Sequence, residues 1–289
     1  MSASTNIKFW GVRGSTPCAN IENMHFGGNT TCVQISIPGQ DEMLVIDCGT
    51  GLRNLGNAIE EENGNLNGSI YITHPHWDHL QGFPFFKPLY CKGNEFNVYI
   101  PPQGDAGCKD ILQGHMSNTF FPVSIDMLEA KMDCTTFEKG MMHFDAYDVE
   151  YMWANHTIDT AIFKFHIGGK AIIFAPDNEL PVAKSDYAVS FLKEFRSFIH
   201  GADVLIHDAQ FNMEQYEQRV GWGHSAWEVI VDIAREEKVS HLYLTHHDPD
   251  STDKYLNNLE ATIRERFEIY FDQIALAREG QEIILSYDS

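Results

Sequence analysis

The stretch SIYITHPHWDHLQGFPFF (69–86) sets four potential metal ligands, His74, His76, Asp78 and His79, directly behind an apolar run. Successive side chains of an extended segment point to opposite sides, so His74 and His76 face the same way. Asp78 and His79 lie beyond the bend that follows and reach a second point a few ångströms on. Imidazole nitrogen and carboxylate oxygen are ordinary zinc donors, and paired catalytic ions stand roughly 3.5–4 Å apart. The run therefore predicts a two-metal centre at the mouth of a strand, rather than one closed structural zinc.

Six residues cannot complete two coordination spheres, so other strand ends must supply the remainder. His156 follows VEYMWAN, Asp177 follows AIIFAP and His246 follows HLYLT. Each stands just after an apolar run, where a sheet edge delivers loop residues to a shared cleft. His207 and Asp208 end DVLIHD, and His224 sits in GWGHSAWE ahead of a helical pattern. The scattered His25, His115, His143, His166 and His200 are read as surface or capped histidines, and His241 and His247 as mere neighbours of the interesting positions.

Working outward, IKFWGVRG (7–14) and TTCVQISIPGQDEMLVIDCGTG (30–51) read as strands, with a Pro-Gly turn inside the second stretch. LRNLGNAIEEENG (52–64) has helical spacing and an Asn-Gly stop. FNVYIPP, DVEYMWANH, TAIFKFHIGGKAIIFAPDN (a hairpin around Gly168 and Gly169), DVLIHDAQF and HLYLTHH continue the strand series. SAWEVIVDIAREEK and DKYLNNLEATIRERF are amphipathic helices, and QIALAREGQEIIL returns as strands. Residues 104–133 lose periodicity and are expected to form a partly helical insertion, with Phe120 and Phe121, like Trp153 beyond it, packing as core aromatics or stacking a ring of a ligand. Two strand-rich halves punctuated by helices predict an α/β fold in which two facing sheets carry helices outside, one domain over residues 1–289.

The chain of 289 residues carries 41 acidic against 20 basic side chains, a net charge of −21. Such a field repels long polyanions, so extended nucleic acid is not an expected partner, whereas a small anion held by a metal is compatible with it. The six cysteines include no C-x-x-C pair, and the opening residues lack the apolar core of a signal peptide. Reduced thiols in a cytoplasmic protein are the expectation. No apolar run approaches the roughly 18 residues of a membrane helix, so no membrane partner is expected.

With H-x-H-x-D-H, a later histidine, an aspartate and a final histidine in this order, the chain resembles the metallo-β-lactamase superfamily over nearly its whole length. That resemblance implies an αββα sandwich of two mixed β-sheets flanked by helices. It implies two divalent ions, zinc first with manganese or iron as alternatives, with His74, His76 and His156 at one, Asp78, His79 and His246 at the other, and Asp177 bridging. Asp47 in LVIDCGTG matches the aspartate that the family keeps beneath the site. FWGVRGSTP, LIHDAQF and GHSAWE are similar to the branch holding ribonuclease Z and cyclic-phosphate phosphodiesterases, in which positions matching Asp208 and His224 assist phosphodiester cleavage. The chain departs from ribonuclease Z in lacking a long Gly- and Pro-rich arm, and in the DNE that begins at Asp177.

The expected activity is hydrolysis of a small cyclic phosphodiester, most readily a cyclic nucleotide, by a hydroxide held between the two metals. Asp78 or Asp177 would orient the nucleophile, and His224, oriented by Asp208, would protonate the leaving oxygen or bind phosphate. Arg13 is weighed equally as a phosphate contact and as a brace of its turn. A lactone or ester hydrolase on the same dinuclear site is the rival enzyme, and a catalytically silent metal-binding regulator is the rival of another class. Related phosphodiesterases are often homodimers, which makes a homodimer the oligomeric state to look for.

Overall fold

Runs such as Met43–Ile46 and Val204–Asp208 have no polar alternation, the mark of strands covered on both faces. The computed structural model, which describes residues 2–59, 66–137, 140–182 and 185–288, buries them in that way. Strands β1 (Ser2–Gly11), β2 (Cys32–Ser36), β3 (Met43–Ile46), β4 (Asn67–Tyr71), β5 (Glu95–Ile100) and β6 (Lys131–Thr136) form one sheet. Strands β7 (Met141–His143), β8 (Asp148–Trp153), β9 (Ala161–Ile167), β10 (Lys170–Ala175), β11 (Val204–Asp208), β12 (His241–Thr245) and β13 (Gln273–Leu276) form the other. The last strand, β14 (Glu282–Asp288), returns to the first sheet and pairs antiparallel with β1, Ile7 opposite Ile283.

Both sheets are mixed. The first is antiparallel from β14 to β3 and parallel from β3 to β6. The second is antiparallel from β7 to β10 and parallel from β10 to β13. Period-2 alternation divides each central strand between two cores. Leu44 and Ile46 of β3 join Phe163, Phe165, Val204 and Ile206 between the sheets, while Met43 and Val45 face the helices. In β12 the split is reversed, with Tyr243 between the sheets and Leu242 and Leu244 under the outer helices.

The first sheet is covered by α1 (Gly51–Ala58), the short α2 (Trp77–Leu80) and α3 (Cys108–His115). The second is covered by α4 (Asp186–Ile199) and, beyond the short α5 (Met213–Glu217), by α6 (Trp227–Glu236) and α7 (Asp253–Phe267). This is the expected αββα sandwich. The Pro38-Gly39 turn puts Gly39 at φ 75°, and the β9–β10 hairpin turns on Gly168 and Gly169 at φ 56° and 77°. Positive φ at both positions suits the right-handed twist of the flanking strands.

Three elements depart from the sequence reading. No element was expected over Asp186–Ile199, yet Ser185 caps a 14-residue helix there by accepting the Ala188 N–H, and Ala188, Phe191, Phe195 and Ile199 fall on its buried face. The segment 104–133 is partly helical through α3, but its last residues belong to β6, which pairs in parallel with β5. Helix α1 ends at Ala58, and the Asn-Gly stop expected after it lies outside the described residues. Among the described residues, no helix is long and apolar enough to cross a membrane.

Candidate metal centre

The carboxyl ends of parallel strands in both sheets meet at one edge of the sandwich, the usual place for a site in α/β architecture. Asp47 follows β3, the run from His74 to His79 follows β4, Asp177 follows β10, Asp208 ends β11 and His246 follows β12. His156 stands three residues past the end of β8. The chain therefore places every one of the seven expected donors in a single cluster.

The donors form two groups. His74 Nε2 lies 2.8 Å from His76 Nδ1, which lies 3.2 Å from His156 Nε2. Asp177 Oδ2 faces this trio at 3.7 Å from His74 and 3.6 Å from His156. Its other oxygen, Oδ1, turns to the second group, 3.0 Å from His79 Nε2 and 3.2 Å from His246 Nε2. Asp78 Oδ2 completes that group at 3.3 Å from His79 and 3.2 Å from His246. Asp177 thus presents one oxygen to each group.

The outer ring nitrogens are tied down. His79 Nδ1 donates to Asp47 at 2.7 Å, and Asp47 also accepts from the Thr73 N–H and hydroxyl. The His156 Nδ1–H donates to the Gly223 carbonyl at 3.0 Å, and His74 Nδ1 meets the Thr73 hydroxyl at 3.1 Å. Such partners fix the tautomer and aim the free Nε2 lone pair inward. Backbone strain collects here too. Four non-glycine residues among those described have positive φ, and three belong to this centre: Asp47 (61°), His246 (61°) and Ser15 (62°), whose N–H donates to Asp78.

Divalent cations fit this donor set. His79 Nε2 and Asp177 Oδ1 are buried 3.0 Å apart, and Asp78 Oδ2 and His246 Nε2 converge on the same space at 3.3 and 3.2 Å. Ligand atoms from Asp78, His79 and His246 gathered this closely, with Asp177 against them, suit a shared cation. Charge points the same way. Burial lowers His79, but Asp177, Asp78 and Asp47 outweigh it and hold the imidazole well above its ordinary range. Burial also raises Asp78 and Asp177, and the facing imidazoles overcome it, holding both well below the usual carboxylate range. His74, His76 and His156 are pushed down, first by burial, toward the neutral form that binds metal.

His224 leans over the cluster, its ring stacked 4.8 Å from that of His246, and its Nδ1 donates to Asp208 Oδ2 at 2.8 Å. Burial lowers its pKa, but the Asp208 carboxylate and then Asp177 and Asp78 outweigh this and bring it up to about 9. His207, by contrast, turns away to Asn178 and the Asp208 carbonyl. Arg13 resolves in favour of the brace: fully buried, it donates to the carbonyls of Gly27, Asp248 and Ser251. Its turn reaches the centre through Ser15 and Gly14 instead.

The DNE tripeptide is tied to its neighbours through the side chains of Asn178 and Glu179. Asn178 accepts the Asn155 N–H, and the Glu179 carboxylate accepts the N–H groups of Gly221 and Gly223 and the Tyr216 hydroxyl. These two residues clip the loops bearing His156 and His224 onto the strand end bearing Asp177. The sequence signal was a buried-type position occupied by Asn and Glu, which requires partners.

The family described as Beta-lactamase superfamily domain matches residues 43–247. Ribonuclease Z of Haloarcula marismortui is 20% identical, over 96% of this chain and 95% of its own. Among solved structures, the metallo-beta-lactamase fold protein YhfI from Bacillus subtilis is similar at a TM-score of 0.70 and 16% identity, covering 98% of this chain and 100% of its own. Unliganded yeast PDE1 is similar at a TM-score of 0.70 and 17% identity, with the same coverages of 98% and 100%.

Proposed function

The chain belongs to the beta-lactamase superfamily, as a metal-dependent hydrolase of the branch holding ribonuclease Z and phosphodiesterases, and from that premise we propose that it hydrolyses a small cyclic phosphodiester, most readily a cyclic nucleotide. The observation that carries this reading is the His224–Asp208 pair beside the donor cluster. An ester or lactone also expels an alkoxide, but only after a tetrahedral intermediate has formed, so water has time to protonate it. In-line displacement at phosphorus expels the alkoxide as the nucleophile attacks, which places a greater demand on a positioned acid.

One cation would be held by His74, His76, His156 and Asp177, the other by Asp78, His79, His246 and Asp177. Imidazole and carboxylate suit zinc, and the same donors accept manganese or iron. Cations so held lower the pKa of water and offset charge on phosphoryl oxygens. The chain supplies the remainder. Asp78, fixed by the Ser15 N–H, orients the attacking oxygen opposite the leaving group. His224 carries its proton on Nε2, because Asp208 occupies Nδ1, and delivers it to the departing ribose oxygen. A net charge of −21 favours a substrate small enough to be neutralised inside the cleft over a long RNA.

The test is product analysis of zinc- or manganese-loaded protein given 2′,3′-cAMP, 3′,5′-cAMP and a simple lactone, with His76→Ala as the control. Cleavage of a cyclic phosphate that the substitution abolishes is expected. Lactone opening with both phosphates intact refutes the reading, and full cleavage of a transfer RNA precursor with no action on either nucleotide moves the substrate to RNA.

A further inference from the structure

The run that supplies four donors has a second face. His74 and His76 turn inward to the cluster, whereas Pro75 between them and Trp77, the first residue of α2, line a separate cavity of about 460 Å³. Its opposite wall comes from α3 and the residues that follow, including His115, Phe120 and Phe121. A volume of this size suits a small organic group. We propose that this cavity is the subsite for the planar base of a nucleoside phosphate, with Trp77 and Phe120 as the stacking rings.

Three observations carry the proposal. First, aromatic surface is left open to solvent at the cavity: Trp77 is 75% exposed, Phe120 77% and Phe85 50%. A chain that buries most of its phenylalanines has no packing reason to expose three rings around one hollow, and exposed apolar patches of this kind mark binding sites. Second, among the described residues no Asp, Glu, Lys or Arg lines the cavity, although the chain carries 61 such residues in all. An uncharged, ring-lined hollow in an acidic protein selects a neutral planar group, not the phosphate. Third, the polar groups in the lining, Gln81 and His115, match the edge of a base rather than an aliphatic chain.

Placement makes the two sites one device. Pro75 and Trp77 are bonded directly to His74, His76 and Asp78, so the cavity starts one residue, about 3.8 Å along the backbone, from the donors. A base seated against Trp77 would lie beside the donor run, with its ribose phosphate turning past the edge of Trp77 toward the metal centre. Phe121 backs the wall by packing edge-on against Phe85 at 5.4 Å. The segment expected from sequence as an insertion of open role thus forms one side of the hollow.

The inference rests on the phosphodiesterase reading for its substrate, but binding tests it separately. The kinetic probe is the kcat/KM of adenosine 2′,3′- and 3′,5′-cyclic phosphates against the base-free methyl riboside cyclic phosphates of the same ring sizes. Wild-type protein should prefer the adenosine compounds, and Phe120→Ala and Trp77→Ala should each shrink that preference about 5–150-fold, the usual worth of one stacked base. Phe120 is exposed and belongs to the segment after α3 rather than to the donor run, so its variant separates stacking from metal loss. Unaltered preference in Phe120→Ala overturns the proposal. Isothermal titration with adenosine, which has no phosphate, supplies the independent arm: binding by the wild type that Phe120→Ala weakens supports the subsite, and no binding refutes it. If neither cyclic phosphate is cleaved yet adenosine binds in this manner, the phosphodiesterase reading falls and the subsite stands.

Discussion

Gly14 and Gly223 each stand against the back of one metal-facing imidazole, which allows the two halves of the centre to be dismantled separately. A Cβ added at Gly14 would lie 2.3 Å from His246 Nδ1, and one at Gly223 would lie 2.1 Å from His156 Nδ1. Ordinary carbon–nitrogen contact begins near 3.4 Å, so in each case the ring must recede by about 1 Å. Metal–ligand distances tolerate only about 0.2 Å. Gly14→Ala should therefore lose His246 and weaken the cation at Asp78, His79 and His246, while the His74, His76 and His156 group stays intact. Gly223→Ala should do the reverse, with added backbone strain, because Gly223 sits at φ 87°. Metal content after gel filtration should fall from two equivalents toward one in either variant, and the coupled two-ion manganese resonance signal should give way to that of an isolated ion. Turnover should drop at least 100-fold in both, since each ion serves the same reaction. Two equivalents and full turnover in Gly14→Ala would refute the reasoning, because that substitution acts by contact alone.

Other expectations follow from the same geometry. His224→Ala should lower kcat by about 10²- to 10⁴-fold with two metals retained, measured by steady-state kinetics and metal analysis. The acid must be protonated to act, so activity should fall as pH rises through the His224 pKa, at or below about 9 once cations add their charge, and Asp208→Asn should move this alkaline limb to lower pH. Burial holds His207 down at about 4 against an ordinary 6.5, so the unfolded chain takes up this proton first. Stability is then complete above about pH 6.5 and is lost as pH falls toward 4, by up to about 3 kcal/mol, and His207→Gln should flatten that part of the chemical-denaturation profile. Arg13→Ala strands three carbonyls, two of them in buried hydrogen bonds, and should cost about 3–5 kcal/mol in urea unfolding while leaving metal stoichiometry at two. Removing metals with a chelator should lower the melting temperature by about 10 °C, from about 2.7 kcal/mol per site at a hundredfold excess over Kd.

The donor cluster was legible because each donor follows an apolar run, and an apolar run ending in a ligand-type residue already states where the sheet edge lies. The sandwich was legible for a related reason, as strands covered on both faces leave continuous apolar segments. Helix α4 carried its signals, a Ser185 cap and apolar residues at helical spacing, but no chemistry drew attention to it. Arg13 could not be resolved from sequence. A guanidinium in a turn looks the same whether it awaits a phosphate or three carbonyls, and only the burial of its surroundings decides. The roles of Gly14 and Gly223 are distances between residues far apart in the chain, to which local pattern is blind. Glu179 was visible as an oddity, and its partners, three groups between Tyr216 and Gly223, appear only once the loops are folded.

The donors come from both sheets: His74, His76, Asp78 and His79 from the first, His156, Asp177 and His246 from the second. The separation of two ions held there would accordingly be set by how the sheets sit on each other, through the layer containing Tyr71, Phe163 and Phe165. The centre works as a strain gauge for that layer. A methylene added or removed there shifts one half of the ligand shell against the other, so catalytic rate and ion–ion coupling should register repacking too slight to move a melting curve. Drift of this protein under selection for activity would then be read first in its interior, far from any residue that touches substrate.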